Sequence, residues 1–381
     1  MGNTEQGLDL LAELDAVVDL GRRAPGSDAE RRTAQHLEGR LEHLGRSAEI
    51  EPFTAYPHWP LACLLLASAS IAASVLAVYV PVAGATLALV AALLLFLDAG
   101  LLMPTVRRLL GGRASQNVVS WNDTGKPGTL VVVAHYDAGR AGIVHSDAVA
   151  RRRAALRLGA LQLVFWAQLG VLAAALLRLI GIEGSLLTAA QLVPTFVLIV
   201  AVALLADVAL AGTKAGENDN ASGTVLALRL AAEAQPEHFD VHVLLTGAGT
   251  AGAAGLKAFL DRHDLPHDTT VILNLDRVGS GDVRYTSREG ALVTAKTHPQ
   301  LTALADDTPL VSRSTSDASA ATGYAAITVT CRDRLDYASG RVHEQSLEQA
   351  EAFCLELIGR LDEEVGPSLT GPHEETALSE P

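Results

Sequence analysis

Cysteine is scarce. The chain has three, Cys63, Cys331 and Cys354, in 381 residues. The number is odd, the spacing is scattered, and Cys63 lies inside an apolar run. That excludes a disulfide framework and a zinc ribbon, and it suits a reducing compartment. Aromatic residues make up only 4% of a chain that is 49% apolar, so the apolar content is mainly Ala, Leu and Val. Positive charge is in deficit, with 29 Lys and Arg against 43 Asp and Glu and a net charge of −14. Bulk charge of that sign argues against nucleic acid as a partner, and against an anionic lipid surface held by bulk charge. There is no internal repeat. Met1 leads into a polar, acidic stretch, and no cleavable signal peptide is expected.

What is abundant is uninterrupted apolar sequence. Leu61 to Val80 and Leu158 to Leu177 carry no charge, while Val82 to Met103 and Ser185 to Leu210 carry one each, Asp98 and Asp207. A helix needs about 20 apolar residues to cross roughly 30 Å of hydrocarbon, and all four runs reach that length. They pair into two hairpins, turned at Tyr79-Val80-Pro81 and at Gly181-Ile182-Glu183-Gly184. Arg107, Arg108, Arg113, Arg151, Arg152, Arg153, Arg157 and Lys214 flank one side of these spans, and Arg178 alone flanks the other. The positive-inside rule then puts the remaining chain and both termini in the cytoplasm, with the protein integral to the plasma (inner) membrane. Asp98 and Asp207 fall near the cytoplasmic ends of their spans, within reach of Arg107 or Arg157. The few polar groups inside the spans, and the lack of Gly/Pro-broken helices, speak against a transporter.

Outside the hairpins the pattern is α/β. Ser27 with Glu30 forms a capping box ahead of a helix whose apolar face is Leu37, Leu41 and Leu44, and Gly45 stops it. Strands are expected at Asn117–Trp121, Thr129–Ala134, Val241–Thr246, Thr269–Leu275 and Ala325–Thr330. Helices are expected at Gly223–Ala234, Gly252–Arg262 and Ser346–Glu363. Apolar strands alternating with helices predict a mostly parallel sheet flanked by helices, interrupted by the two membrane hairpins. The α/β domain then comprises 1–58, 112–150 and 211–365, the hairpins 59–110 and 155–210, and a disordered tail 366–381.

Sites of such sheets lie at the carboxyl ends of the strands. His135 ends the run TLVVVAH and Asp276 ends VILNLD. Asp219, in GENDNASG, precedes a helix start. An imidazole and two carboxylates so placed can form a zinc-binding set. Asp137 is positioned to hold the His135 tautomer.

In order along the chain, RAPGSDAE, QNVVSWN, VVVAHYDAG, GENDNASG, LLTGAGTAGAAGLKAF, NLDRVGSG and SDASAATGYAAITVT resemble metallopeptidase family 28, the co-catalytic zinc aminopeptidases. The resemblance covers nearly all the chain outside the hairpins. It implies a zinc aminopeptidase-like fold, with His135 and Asp276 binding one zinc and Asp219 bridging to a second. The sequence also departs from the family. Where the family has a Glu-Glu pair, one the general base and the other a ligand of the second zinc, this chain has Gly249-Thr250. The family's last histidine ligand has one counterpart here, His343, with Asp333 and Asp336 as alternatives. Glu217 and Glu289 are the acids near enough in sequence to stand in for the base. Arg277 beside Asp276 either binds a carboxylate or offsets the acidic cluster.

The expectation is a membrane-anchored zinc metallopeptidase-like protein with impaired peptide hydrolysis, one zinc site, and a mouth near the cytoplasmic membrane face. Its partners would be a peptide or protein N-terminus and the lipid bilayer, and no nucleic acid. The alternative is a non-catalytic pseudopeptidase that binds a metal or peptide, or acts as a scaffold.

Overall fold

The computed structural model describes residues 8–146, 148–149, 152, 159–334 and 337–369. Arg151, Arg153, Arg157, Asp336 and the tail from 370 lie outside them. The chain begins with α1 (Leu10–Asp19) and α2 (Asp28–His43), then β1 (Glu49–Ala55). The first apolar pair follows as α3 (Trp59–Tyr79) and α4 (Pro81–Leu95), with α4 running on through a wide turn at Phe96–Gly100. After α5 (Thr105–Leu109) come β2 (Arg113–Ser120) and β3 (Gly128–His135), then the second apolar pair, α6 (Ala160–Leu179) and α7 (Ser185–Leu210). The rest is α8 (Ser222–Glu233), β4 (Phe239–Thr246), α9 (Ala254–Arg262), β5 (Thr270–Leu275), β6 (Asp282–Thr286), β7 (Arg288–Glu289) and β8 (Ala295–Lys296). It closes with α10 (Pro299–Leu304), β9 (Leu310–Val311), β10 (Ala325–Arg332) and α11 (Glu344–Arg360).

Eight strands form one sheet in the order β1-β2-β4-β3-β5-β10-β6-β9. The centre, β4-β3-β5-β10, is parallel throughout. The flanks mix in antiparallel pairings, β1 with β2, β2 with β4 and β10 with β6. The period of two along β3 divides its side chains between two cores. Leu130, Val132 and Ala134 pack with Leu37 of α2, Leu226 of α8 and Leu357 of α11. Val131 and Val133 face the other way, onto Leu256 and Phe259 of α9. Burial on both faces is why the central strands read as continuous apolar runs.

The α2 boundaries follow from local chemistry. Ser27 Oγ accepts from Glu30 N at 3.2 Å. Glu30 does not close the box on Ser27; its carboxylate accepts from Gly26 N at 2.6 Å and turns inward. At the other end, Gly45 takes φ +78°, so that Gly45 N bonds Glu42 O and Arg46 N bonds Leu41 O, a Schellman ending. The tail differs from expectation at its start. Leu369 is buried and donates its N–H to Asp268 O at 2.9 Å, because an apolar side chain there completes the core under β5.

Among the described residues, four helices are long and apolar enough to cross a membrane: Trp59–Tyr79, Pro81–Gly100, Ala160–Leu179 and Ser185–Leu210. Their outer faces leave Leu65, Leu93, Trp166, Val193 and Phe196 exposed. Inside the bundle, Gln191 Nε2 donates to Ser74 O at 2.6 Å and to Ser74 Oγ at 2.8 Å, and Arg178 Nε donates to Gln191 Oε1 at 3.0 Å. These bonds tie α3, α6 and α7 together. Pro194 lies inside α7, so one of the four spans does contain a proline, and it packs on Gly170 of α6.

At the first hairpin turn a Cβ on Gly84 would sit 2.4 Å from Ala77 N and Cα, so the two backbones touch there. Gly84→Val is therefore expected to lower the thermal midpoint of the detergent-solubilised protein by several degrees, read by circular dichroism. An unchanged midpoint would show that the turn does not need this close approach.

Candidate metal centre

Parallel pairing of β3 with β5 sets their carboxyl ends side by side. His135 is the last residue of β3, and Asp276 follows β5 directly. Asp219 comes from the short turn Glu217–Ala221 ahead of α8. His135 Nε2 lies 4.0 Å from Asp219 Oδ1 and 3.9 Å from Asp276 Oδ1, and one ligand atom from each residue falls within 4.8 Å of the others. The Asp219–Asn220 peptide bond is cis. Asn220 then ties the turn to the strand end, its Nδ2 donating to Leu275 O at 2.7 Å and its Oδ1 accepting from Arg277 N at 2.8 Å. Arg277 is held in the left-handed region at φ +56°. Backbone strain of this kind costs about 1–3 kcal/mol and persists where surrounding bonds enforce it.

Asp137, fully buried, organises the neighbouring loop. Its Oδ1 accepts from Gly249 N at 2.7 Å, and its Oδ2 accepts from Thr250 N at 3.1 Å and Thr250 Oγ1 at 2.5 Å. His135 Nδ1 lies 3.1 Å from Asp137 O and 3.3 Å from Asp137 Oδ1. With Nδ1 engaged, Nε2 faces the two carboxylates. This nitrogen-and-oxygen donor set is one that zinc takes, with the ligand atoms drawing in by about half an ångström or more to reach tetrahedral spacing.

Three further groups close the site. Buried Arg23 donates from Nε to Tyr136 O at 2.7 Å and from Nη2 to Gly216 O at 2.8 Å, bracing the His135 and Asp219 loops against each other. Buried Glu30 accepts from Ser115 Oγ at 3.0 Å and from Ala248 N at 2.9 Å, fixing Ala248 at φ +50°. Buried Asp317 accepts from Thr246 Oγ1. A Cβ built on Gly249 would lie 2.4 Å from His135 Cβ and 2.7 Å from Asp317 Oδ1. The space that a residue-249 side chain would enter is thus taken up by His135 and Asp317.

The electrostatics follow. Burial works against a charge on His135, but Asp137 and Asp276 outweigh it and hold the imidazole well above its ordinary pKa. Burial would raise Asp276; Arg277, whose Nε and Nη2 contact its Oδ2 at 3.0 and 2.6 Å, together with His135 holds it below the carboxylate range. Burial pushes Asp317 up to about 6. Burial, and then Asp137, pushes Glu30 up to about 8.

Of the residues singled out in the sequence, His135, Asp219 and Asp276 come together, and Asp137, Gly249 and Thr250 stand beside them. His343 is exposed at the start of α11, where its N–H donates to Gly279 O at 2.8 Å, and it is not one of the three grouped ligands. Glu289 is buried and engaged, accepting from Thr286 Oγ1 at 2.6 Å and Ser316 N at 3.1 Å. Glu217 is half-buried in the Asp219 turn, and Asp333 caps its own loop by accepting from Tyr337 N at 3.1 Å. Sequence reasoning missed Glu30 and Asp317. The first was read as a cap alone. The second lay inside a recognised stretch, SDASAATG, with no spacing rule to single it out.

The family model described as Peptidase family M28 matches residues 202–336, which include Asp219, Gly249, Thr250, Asp276 and Asp317. A search of curated proteins finds no match. Among solved structures, the chain is similar to a Zn-dependent exopeptidase from Parabacteroides distasonis, with a TM-score of 0.52, 11% identity, and coverage of 92% of this chain and 96% of that one. It is also similar to glutaminyl cyclases from Tannerella forsythia (TM-score 0.51, 13% identity) and Porphyromonas gingivalis (0.51, 9%), each covering 92% of this chain and 96% of the other. At such identities the likeness is one of fold.

Glu30 supplies a pH test. Its carboxyl holds a proton more tightly in the fold, near 8, than at its ordinary 4.5. The stability this brings is complete below about 4.5 and is lost as pH rises through 8. The urea midpoint is expected to be lower at pH 9 than at pH 6, and a higher one would contradict a buried, protonated Glu30.

Proposed function

We propose, for a chain that belongs to peptidase family M28, that it is a membrane-anchored metallopeptidase-type protein holding one zinc ion at His135, Asp219 and Asp276, with weak peptide hydrolysis. The observation that carries this reading is the convergence of those three ligand atoms within 4.8 Å, from the ends of β3 and β5 and the turn ahead of α8. A zinc ion bound there would polarise a peptide carbonyl and lower the pKa of a bound water. The N-terminal end of a peptide is the substrate class suggested by the family resemblance. The four apolar helices support the membrane anchor, and the basic residues around their ends, such as Arg107, Arg108 and Lys214, support a cytoplasmic soluble domain.

The weakness follows from Gly249-Thr250. Neither residue carries a carboxylate, and loss of a positioned base costs about 10²–10⁴ in rate. Thr250 Oγ1 is spent on Asp137 rather than offered to a second metal. That bond favours the second reading, a non-catalytic protein that binds a metal or peptide. What hydrolysis remains needs an acid near His135, and Asp317 is the buried carboxyl on that side. With burial raising it to about 6, it exchanges a proton near neutral pH.

Elemental analysis of the detergent-purified chain is expected to give one zinc per chain, and His135→Ala to lose it. Two equivalents would overturn the single-metal reading; none would leave the site a relic in a scaffolding protein. Any aminopeptidase turnover is expected to fall at least tenfold in Asp317→Asn with zinc content kept. Gly249→Glu is expected to lower zinc content instead of restoring activity, since its Cβ collides with His135 and Asp317.

A further inference from the structure

The loops that carry the metal centre are bonded to the ends of the apolar helices. Asp207, in the last turn of α7, accepts from Ile143 N at 2.6 Å through Oδ2, and Arg140 Nη1 donates to Ala209 O at 3.1 Å. Both partners lie in the loop that leaves His135. Beyond the helix, Lys214 N donates to Gly139 O at 2.9 Å. A Cβ on Gly139 would lie 3.3 Å from Asp219 Oδ2, so this loop lies directly against the metal group. Lys214 is four residues past the end of α7, a chain reach of at most about 14 Å.

The second hairpin is not alone in this. Buried Arg107, just after the first hairpin, pairs through Nε with Asp98 Oδ1 at 2.8 Å and donates from Nη1 to Ala251 O at 2.7 Å. Ala251 ends the Gly249–Ala251 turn that Asp137 caps. Gly100, at the end of the same hairpin, packs on Leu292, in the loop after Glu289.

The side chains next to these ties are apolar and open to the outside. Leu210 is 88% exposed, Leu109 85% and Ile143 58%, and Val293 is exposed as well. Apolar side chains ringing the ends of bilayer-length helices match an interface with lipid, not with water. Of the three ligands Asp219 is the accessible one, its side chain 32% exposed against 7% and 4% for His135 and Asp276. The metal group is therefore open on its Asp219 side, next to the Gly139 loop that is fastened to α7.

We propose that the site takes its substrate from the bilayer: the free N-terminal segment of a polypeptide held at the membrane surface by a lipid or transmembrane anchor, in preference to a soluble peptide. This rests on the zinc-and-peptide reading above. A mouth within about 20 Å of the helix ends sees tethered chains at a high effective concentration. Such a mouth is reached by an N-terminus whose anchor is only a few residues away.

The test uses the full-length, zinc-loaded chain in nanodiscs of phosphatidylcholine, with three fluorescent peptides sharing one N-terminal sequence. One is soluble. One carries a palmitoyl anchor after a four-residue spacer, with a reach of at most about 14 Å, and one after a twenty-residue spacer. Binding is read as the fluorescence anisotropy or energy-transfer change that EDTA abolishes, so bulk partitioning into lipid is subtracted. The short-spacer peptide is expected to bind at least tenfold more tightly than the soluble one and no more weakly than the long-spacer one. If the short-spacer peptide binds no better than the soluble peptide, the inference is overturned while the zinc-and-peptide reading stands. If no peptide shows EDTA-sensitive binding, both fall.

Discussion

The carboxylate of Asp137 is the group on which the rest of the site depends. It is fully buried, and a buried charge survives only where donors surround it. Here they come from two places distant in sequence, the Gly249-Thr250 turn and the His135 ring. One residue thus fixes both the orientation of the histidine and the height of the loop over it. The same negative charge raises the pKa of Glu30 and that of His135. Around it, Glu30 and Asn220 hold Ala248 and Arg277 in backbone conformations they would not adopt alone.

This arrangement leaves residues 249 and 250 with supporting roles. At 249 a glycine leaves His135 and Asp317 close to the backbone, where a Cβ would collide with both. At 250 a threonine turns its hydroxyl toward Asp137 and becomes part of the support. The donors of this turn support Asp137, and His135, Asp219 and Asp276 are grouped beside them.

The two apolar hairpins enter the chain at points that the sheet topology makes consequential. One is inserted ahead of β2, the other between β3 and α8, the two elements flanking His135 and Asp219. Insertions are tolerated best in loops, and here the loops are those of the site. The helix ends therefore cannot move without pulling on the residues that hold His135 and Asp219. Asp98 with Arg107, and Asp207 with Ile143, are the bonds that carry this connection.

Periodicity and residue chemistry determined much of this in advance. Four apolar runs reach bilayer length, the α/β alternation puts His135 and Asp276 at strand ends, and GENDNASG puts Asp219 ahead of a helix. These are local signals, set by hydrophobic burial and by backbone preference. What only the tertiary structure decided depends on contacts far apart in the chain. Glu30 reads as a helix cap, and its inward turn toward Ala248 bridges 218 residues. Asp317 reads as one acid in a serine- and alanine-rich loop, and becomes part of the site because β5 and β10 are neighbours. The antiparallel flanks of the sheet are invisible to apolar pattern, since either direction buries the same faces. His343 is removed from the metal group by where α11 begins, which no spacing rule contains.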